Sequence, residues 1–356
     1  MTEKRADAGL AFMLRYENIA WYENGAVHIL DRRIYPARTE FVTCRDYHQV
    51  AQAIRDMVTQ SAGPYTAAGM GMALAAYECQ NLSEEKQRQH LKTAAYELAH
   101  ARPTTVSRME GIVSGCLQAA ETAFSAGACV ADKIREHVII SCDMRYHQVE
   151  RIAHNLVRLF PPKGTIMTQC FAETIVGMML RVAKEQGREL RFFCPETRPY
   201  FQGARLTATV VRDMGFPVTV ITDNMPAWVM EKEHIDVFTS AADCITLDGH
   251  VVNKVGTFQI AIAASYMGIP YFVTGAPDAA HKDRNSVTIE LRNPEFTLQA
   301  MGVRTAAEGV TGYYPAFDIT PPSLVSGVVT PIGVFSPYDI KDYYDKAGTD
   351  PKKLVL

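Results

Sequence analysis

Cys170 and Asp243 are the residues of this sequence whose types and positions are best suited to acid–base chemistry. Cys170 follows the apolar, strand-like run TIMTQ and precedes a helix-like pattern, so its thiol would face the amides at the start of that helix. The partial positive charge there favours a thiolate. Asp243 ends the run DVFTSAAD, where a carboxylate could be solvated, cap a turn or act as a general acid or base. A buried structural role for the cysteine stays open at this point.

Two further segments carry side chains that could bind phosphate. NKVGTFQIA places Asn253 and Lys254 at the predicted start of a helix, where backbone amides and a cation can meet an anion. PYFQGARLT supplies Gln202 beside a glycine turn, and ARPTTV supplies Arg102 from the N-terminal part of the chain. Asp223, in VITDNMPA, is predicted to cap the helix that follows it.

The elements that would position these residues alternate between short apolar strands and helices from Gly164 onward. The strand-like runs are TIMTQ, LRFFC, PVTVIT, DVFTSA and PYFVTG. Their spacing predicts right-handed crossovers and a Rossmann-like, doubly wound parallel sheet over residues 146–356. Ligands bind beyond the carboxyl ends of such strands, which is where Cys170 and Asp243 lie. No GxGxxG follows a strand, so no dinucleotide cofactor is expected.

The N-terminal part of the chain predicts a different construction. Residues 16–35 carry two β-rich runs around the turn sequence ENGA, which is typical of a hairpin. Segments with apolar spacing of three and four then follow, from YHQVAQAIRDMV to TTVSRMEGIVSGCLQAAETAFSA. We therefore expect a small sheet followed by a helical bundle over residues 1–145, and an α/β fold class for the whole chain.

Composition and charge exclude several classes of protein. With 47% hydrophobic and 21% charged residues, the chain is typical of globular proteins. Its net charge of -3 and lack of a long Lys/Arg block predict no nucleic-acid or membrane partner. The charged N-terminus lacks the apolar core of a secretory signal, so a cytoplasmic location is expected. The cysteines show no CxxC pair and no zinc-type spacing, so no metal is expected.

Four longer motifs resemble one known superfamily. They are ETRPYFQGARLTA, VTVITDNMPAWVM, AADCITLDGHVVNKVGT and YPAFDITPPSLVSGVVTPIGV. Together they resemble the 5-methylthioribose-1-phosphate isomerases, whose superfamily includes ribose-1,5-bisphosphate isomerase and the regulatory subunits of the eukaryotic translation-initiation guanine-exchange factor. AVHILDRRIYP and QVAQAIRDMV look like the opening hairpin and first helix of that family. The resemblance thus covers nearly the whole chain.

The resemblance implies a reaction and a role for the candidate residues. The isomerases of this family convert a cyclic aldose 1-phosphate to an open-chain ketose 1-phosphate without a metal or nicotinamide cofactor. By resemblance, Asp243 is the acid or base at the ring oxygen and Cys170 serves proton transfer between C1 and C2. In the alternative hydride shift, the thiol would only shape a dry pocket. The positions that match phosphate ligands of the family are Arg102, Gln202, Asn253 and Lys254.

The sequence departs from the family pattern at several positions. Gln60 stands where the phosphate loop of the N-terminal domain has arginine, Gln169 precedes the cysteine where histidine is usual, and Cys244 replaces an arginine. Phe171 and Tyr314 also differ, and they are either packing residues or substrate contacts. If they line the pocket, a 5-deoxy or 5-methylthio sugar suits them better than a second phosphate.

The resemblance therefore predicts a sugar-phosphate isomerase that acts on 5-methylthioribose 1-phosphate or a related 5-deoxypentose 1-phosphate. One alternative is a ribose-1,5-bisphosphate isomerase, which would need more cations than the sequence offers. Another is a non-catalytic regulatory subunit that senses a sugar phosphate or a nucleotide, which the missing arginine at position 60 would favour. The family also implies a homodimer.

Overall fold

The computed structural model describes residues 5–102 and 106–348. The chain divides into two compact units, one ending at His147 and the other beginning at Gln148. Among the described residues, no helix is both long and apolar enough to span a membrane.

The first unit contains a small antiparallel sheet of three strands. Its strands are β1 (Ala20–Glu23), β2 (Ala26–Leu30) and β3 (Phe41–Cys44), paired in that order. Asn24 and Gly25 both have positive φ at the turn between β1 and β2. This is the geometry that a two-residue hairpin needs, and the Asn-Gly sequence supplies it without strain. The predicted hairpin is confirmed, whereas β3 was not anticipated.

Helices form the rest of the first unit. They are α1 (Tyr47–Arg55), α2 (Gly63–Glu78), α3 (Glu84–Ala99), α4 (Val106–Ala126) and α5 (Val130–Val157), the last of which continues into the second unit. The Gly- and Ala-rich α2 is buried from Gly63 to Ala76 and packs against α1, α3 and α4. A Cβ at Gly69 would lie 2.7 Å from the Val138 side chain, so glycine permits close packing against α5.

The second unit alternates strands and helices. Its strands are β4 (Lys163–Thr168), β5 (Glu189–Pro195), β6 (Val218–Ile221), β7 (Val237–Ala241), β8 (Cys244–Ile245), β9 (Val251–Lys254), β10 (Tyr271–Thr274), β11 (Gln299–Ala300), β12 (Val303–Arg304), β13 (Phe317–Thr320), β14 (Gly327–Thr330) and β15 (Gly333–Phe335). Its α-helices are α6 (Thr174–Glu185), α7 (Ala208–Asp213), α8 (Pro226–Lys232), α9 (Thr257–Tyr266) and α10 (Tyr343–Ala347). A π-helical turn, Gly203–Thr207, runs directly into α7.

Short 3-10 helices occur in both units. The described ones are Phe12–Leu14, Tyr16–Asn18, Arg284–Ser286, Pro294–Thr297, Pro322–Leu324 and Pro337–Asp342.

The main sheet has seven strands, and the direction of its strand order reverses between β4 and β7. The strand order is β15, β14, β10, β7, β4, β5, β6, and every neighbouring pair except β14 with β15 is parallel. The chain runs outward from β4 through β5 to β6 and then returns to β7 on the other side of β4. This reversal is the topological switch point, where open parallel sheets bind ligands at the carboxyl ends of their strands. The predicted α/β class and doubly wound sheet are confirmed.

A second, antiparallel sheet holds residues that we had predicted to begin a helix. Its order is β13, β9, β8, and all four residues of β9 are buried. Asn253 and Lys254 end β9, where they pair with Asp318 and Phe317 of β13. Helix α9 begins only at Thr257. The prediction of a helix start at Asn253 was wrong because the buried ladder with β13 extends the chain through Lys254.

Candidate active site

Cys170 lies just beyond β4, and two side-chain hydroxyls hold its backbone. Its N–H donates to Thr197 Oγ1 at 3.2 Å, and its carbonyl accepts a short hydrogen bond from Thr207 Oγ1. Both threonines belong to the segment that follows β5. The segment that also carries Gln202 therefore fixes the position of the half-buried cysteine.

The two loops beyond β4 and β5 contain backbone strain. Cys170 has a φ of 60°, Glu173 of 51°, Thr197 of 63° and Phe201 of 57°. A left-handed backbone costs a residue with a side chain roughly 1–2 kcal/mol. Such strain persists only where the surrounding structure imposes it, and it concentrates at functional sites.

Asp223 lies just after β6 and hydrogen-bonds to this strained region. Its carboxylate accepts hydrogen bonds from the N–H of Thr197 at 2.8 Å and of Arg198 at 2.6 Å. The prediction that Asp223 caps the next helix was wrong, because Met225 occupies the N-cap position of α8 and no side chain caps that helix.

The thiol of Cys170 is held in its neutral form. Burial raises its pKa to about 11, an effect that the Lys254 ammonium opposes and the Asp243 carboxylate reinforces. The N–H of Phe171 lowers this pKa as well, but by less. The prediction that helix amides would favour a thiolate was therefore wrong. α6 begins only at Thr174, and loss of hydration outweighs the favourable charges.

Lys254 is a cation buried at the end of β9. It is only 4% exposed, its Nζ donates to the carbonyl of Ala316 at 2.9 Å, and the ammonium lies 4.6 Å from the centroid of the Phe317 ring. Burial lowers the pKa of Lys254, whereas Cys170 and Asp243 raise it. None of the residues that the structure describes forms an ion pair with Lys254. A buried ammonium of this kind is poised to receive an anion.

Asp243 lies at the corner where the chain leaves β7 for the antiparallel sheet. Its N–H donates to the carbonyl of Val252 on β9 at 2.9 Å, and the residue is exposed. Its charge raises the pKa of both Cys170 and Lys254. Cys170 and Asp243 thus follow β4 and β7, the two strands at the switch point, and Lys254 is close enough for its charge and that of Asp243 to act on the Cys170 thiol.

Gln202 and Asn253 are buried polar residues near these groups in the fold. Each is 6% exposed. Asn253 Nδ2 donates to Thr257 Oγ1 at 3.1 Å, which joins the end of β9 to the start of α9. Gln202 Oε1 is buried without a hydrogen-bond partner in the described part of the chain. An unsatisfied buried amide is costly in a folded protein, so its role as a ligand contact stays a reasonable prediction.

The amides at the start of α9 are already occupied. The N–H groups of Gly256 and Phe258 donate to Asp318 Oδ2 at 2.7 and 3.1 Å. Burial raises the pKa of Asp318 to about 6 although both amides lower it. Our expectation that these amides meet a phosphate is therefore not supported by the geometry, because an internal carboxylate takes that place.

Sequence reasoning missed Arg292 and Glu290. Arg292 is 11% exposed in its side chain, and its guanidinium binds the Glu290 carboxylate through two hydrogen bonds of 2.9 and 3.0 Å. Burial disfavours the charge, but this bidentate pair raises the pKa of Arg292 overall. Arg292 also lowers the pKa of Cys170, which places it near the site. It lies in an irregular segment without periodicity, so no sequence pattern marks it.

A small cavity lies beneath Cys170 among the ends of the parallel strands. Its volume is about 20 Å³, and its polar lining includes Thr168, Thr207, Thr239, Ser240 and Thr274. That is room for one or two water molecules with several hydroxyl partners.

Arg102 and Gln60 belong to the first unit. Arg102 follows α3 and is half-buried, and its part in phosphate binding stays a prediction. Gln60 is 4% exposed, and its carbonyl accepts a hydrogen bond of 2.8 Å from the fully buried Arg32.

The profile of the initiation factor 2 subunit family matches residues 60–337. The chain belongs to this family. The methylthioribose-1-phosphate isomerase of Chloroflexus aurantiacus is 35% identical over 332 residues, which is 89% of this chain and 94% of that protein. The protein of the same name from Thermotoga maritima is 33% identical over 341 residues, covering 91% of this chain and 96% of that one.

Solved structures of the initiation factor 2 subunit family show the same architecture. The 5-methylthioribose 1-phosphate isomerase of Pyrococcus horikoshii OT3 matches with a TM-score of 0.79 and 28% identity, covering 94% of this chain and 98% of that chain. The translation initiation factor eIF-2B, subunit delta, from A. fulgidus matches with a TM-score of 0.77 and 29% identity, covering 95% and 99%.

Phe171 and Tyr314 lie in the interior of the second unit. Phe171 is 5% exposed and Tyr314 is 3% exposed. Burial raises the pKa of Tyr314 to about 12, and the charges that act on its phenol include Arg292, Tyr200 and Cys170. Tyr314 therefore packs near the candidate site, which leaves it available to shape the space around a ligand.

Proposed function

We propose that this protein is a methylthioribose-1-phosphate isomerase, an aldose–ketose isomerase that converts a cyclic aldose 1-phosphate to the open-chain ketose 1-phosphate. Relatives with that name match along nearly their whole length. The observation that carries the proposal is the grouping of Cys170, Lys254 and Asp243 at the switch point of the sheet. These side chains supply a neutral acid, a cation and a carboxylate.

In this proposal Lys254 binds the substrate phosphate. Its buried ammonium donates to a backbone carbonyl, so a phosphate would give it a partner of opposite charge. Asn253 and Gln202 are the other proposed phosphate ligands of the second unit, and phosphate binding by Arg102 of the first unit stays a separate prediction. We keep a related 5-deoxypentose 1-phosphate as a second substrate, because the buried Phe171 and Tyr314 suit an apolar group at C5.

The phosphate on C1 prevents spontaneous ring opening, so the enzyme must protonate the ring oxygen while hydrogen moves from C2 to C1. Asp243 is the proposed acid and base for this step: it gives a proton to the ring oxygen and takes the proton that the C2 hydroxyl loses as C2 becomes a carbonyl. Cys170 is neutral at pH 7, because its pKa is about 11. Forming the thiolate would cost roughly 5 kcal/mol at that pH. Of the two routes, the neutral thiol favours a hydride shift in a dry pocket over abstraction of a proton by sulfur.

The test is turnover of 5-methylthioribose 1-phosphate in D₂O, followed by NMR. We expect Asp243→Asn to lose about 10²–10⁴-fold in rate, as is usual for groups that transfer protons, and Cys170→Ser, which changes only the lining of the pocket, to lose less. Cys129→Ser, which changes an exposed cysteine of the first unit, is the matched control and should retain full activity. A ketose without deuterium at C1 supports the hydride shift, and deuterium at C1 assigns proton transfer.

The same assay separates the alternatives. Ribose 1,5-bisphosphate is assayed beside the first substrate, and a preference for it would identify the bisphosphate isomerase instead. A folded protein that binds these sugars without turnover would be a sensing subunit. Gln60 is the observation that favours this last function, since its buried amide brings no charge where the family has arginine. Turnover that persists in both variants would reject the proposed roles of Cys170 and Asp243.

We also propose that the protein is a cytoplasmic homodimer, on the resemblance of its sequence to the family. Light scattering on the purified protein measures the mass in solution, and a monomeric mass at micromolar concentration would contradict the dimer.

A further inference from the structure

Three side chains with metal-binding groups meet beside the candidate active site. The thiol of Cys244, a carboxylate oxygen of Asp278 and an imidazole nitrogen of His281 all lie within 4.8 Å of one another, and each residue is partly buried. Cys244 begins β8, and the other two lie on the loop after β10. Sulfur, nitrogen and carboxylate oxygen are the donors that zinc binds in proteins.

Backbone hydrogen bonds hold the loop against the strand that carries the thiol. The N–H of Asp278 donates to the carbonyl of Ile245 at 2.8 Å, and the N–H of Leu247 donates to the carbonyl of His281 at 2.9 Å. These two backbone hydrogen bonds join the loop to β8 and the residues after it, so the backbone keeps the three side chains close together without an ion.

One imidazole nitrogen of His281 already has a hydrogen-bond partner. His281 Nδ1 lies 3.1 Å from the carbonyl oxygen of Ser286, which can only accept a hydrogen bond. Nδ1 therefore carries the proton and the lone pair lies on Nε2. Asp283 caps the turn that contains Ser286 through a reciprocal pair of hydrogen bonds, which fixes that carbonyl. Metal-binding histidines are usually oriented by such a bond from the other ring nitrogen.

The carboxylate of Asp278 is oriented in a similar way. Its Oδ1 accepts a hydrogen bond of 2.9 Å from the N–H of Ala280. This bond restricts the rotation of the side chain. Outer contacts of this kind to ligating carboxylates raise metal affinity because less freedom is lost when the ion binds.

We propose that Cys244, Asp278 and His281 bind a divalent transition-metal ion of the zinc class, with water in the remaining position. Ligand atoms around tetrahedral zinc are roughly 3.3–3.6 Å apart, given bond lengths of about 2.0–2.3 Å. Because the ligand atoms lie within 4.8 Å of one another, the cluster needs a contraction of at most about 1.5 Å, which side-chain rotation can supply. The ion would link the loop after β10 to Cys244, the residue that follows Asp243. The site is separate from the residues of the proposed isomerase function.

Spacing along the chain does not reveal this cluster. Cys244 and His281 belong to segments that are far apart in sequence and that only the folded chain brings together, so the usual CxxC or HxxxH patterns are absent. Cys244 also stands where the resemblance leads us to expect arginine, a cation that would repel a metal ion.

The test is binding of Zn²⁺ and Co²⁺ to the full-length protein after chelation and desalting. We expect one equivalent per chain by elemental analysis, and a thiolate-to-Co²⁺ absorption band. Cys244→Ser, Asp278→Asn and His281→Gln should each weaken binding by about tenfold or more, as loss of a single ligand or its orientation does. Cys244→Ser should also abolish the absorption band.

Matched variants keep the result specific. Cys129→Ser and His234→Gln change an exposed cysteine and an exposed histidine and should bind the metal as the parent does. Cys170→Ser should bind it equally well. Loss of the ion in Cys170→Ser, or unchanged affinity in Cys244→Ser, would overturn the proposal. Because metal content is measured without turnover, either result is independent of whether the isomerase function holds.

Discussion

Cations lie at both ends of the parallel strands, the amino edge and the carboxyl edge of the sheet, but they differ in their exposure to water. At the amino edge a groove of about 630 Å³ is lined by Lys163, Lys184, Arg188 and Arg191 among others. Lys163 pairs with Glu189 and Arg191 pairs with Glu233, each at 3.1 Å, and all four side chains are at least 39% exposed. The carboxyl edge has a cavity of about 20 Å³, and the nearby ammonium of Lys254 belongs to a residue that is only 4% exposed.

The difference shows that the size of a recess is a poor guide to function here. Exposed ion pairs form readily and contribute about 0–1 kcal/mol each. Removing an ammonium from water costs several kcal/mol, and Lys254 recovers part of this through one carbonyl and an aromatic ring. Because burying this cation is costly, its position next to the strained loop of Cys170 indicates that it has a function. The predictions below test this contrast.

Replacing the buried cation should have the largest effect. Lys254→Met keeps the length and apolar stem of the side chain but removes its charge. We expect kcat/KM for the sugar phosphate to fall by about 100-fold, as is typical when a charged hydrogen bond to a phosphate is lost. The fall should appear mainly in KM, measured by steady-state kinetics.

Thiol chemistry supplies a second readout of the same variant. Lys254 lowers the pKa of Cys170, so Lys254→Met should slow alkylation of that thiol at pH 9. Cys170→Ser in the Lys254→Met background identifies the modified residue. Unchanged kinetics and unchanged alkylation together would show that Lys254 is only a packing residue, and the contrast between the two edges would lose its main support.

The pH dependence of the unfolding free energy should show how much the burial of the Asp318 carboxylate destabilises the protein. Burial raises the pKa of Asp318 from 3.8 to about 6, so the folded protein holds this proton more tightly than the unfolded chain does. The stabilising contribution of this proton is complete below about pH 4 and is lost as the pH rises through 6. Asp318→Asn retains an oxygen for the two amides of α9 and does not titrate. Relative to this variant, the parent should lose about 1–2 kcal/mol of unfolding free energy between pH 4 and pH 7.

Urea unfolding of both proteins across this pH range measures the difference. If the two curves of unfolding free energy against pH run parallel, the titration of Asp318 is not linked to folding. If the variant is less stable than the parent at all pH values, the two amides need the charged carboxylate.

The order of strands and helices was predictable because the apolar runs after Gly164 are short and regularly spaced. Cys170 and Asp243 were placed correctly at strand ends, whereas the order of the strands in the sheet, and with it the switch point, was not predicted. The start of α9 was not predictable, because NKVG reads as a helix start until the partner strand β13 is known. Pairing with a strand distant in sequence decided that boundary.

The protonation states of the residues near the site could not be predicted from the sequence either. The neutral thiol of Cys170 results from burial among the strand ends, which no local pattern reports. The same holds for Arg292, whose neighbours come from an irregular segment. Sequence position indicated which side chains approach the edge of the sheet, whereas their chemistry depends on how much water the packed structure leaves there.

The smallest effect should come from the amino edge. Lys163→Gln and Arg191→Gln, made together, remove the two exposed ion pairs. Because water already screens these charges, we expect the unfolding free energy to change by less than about 1 kcal/mol and the kinetics to match the parent. Urea unfolding and the isomerase assay measure both quantities. A clear rise in KM in this double variant would mean that the large groove contributes to binding of the anionic substrate, and that burial of the cation is not what distinguishes the functional edge.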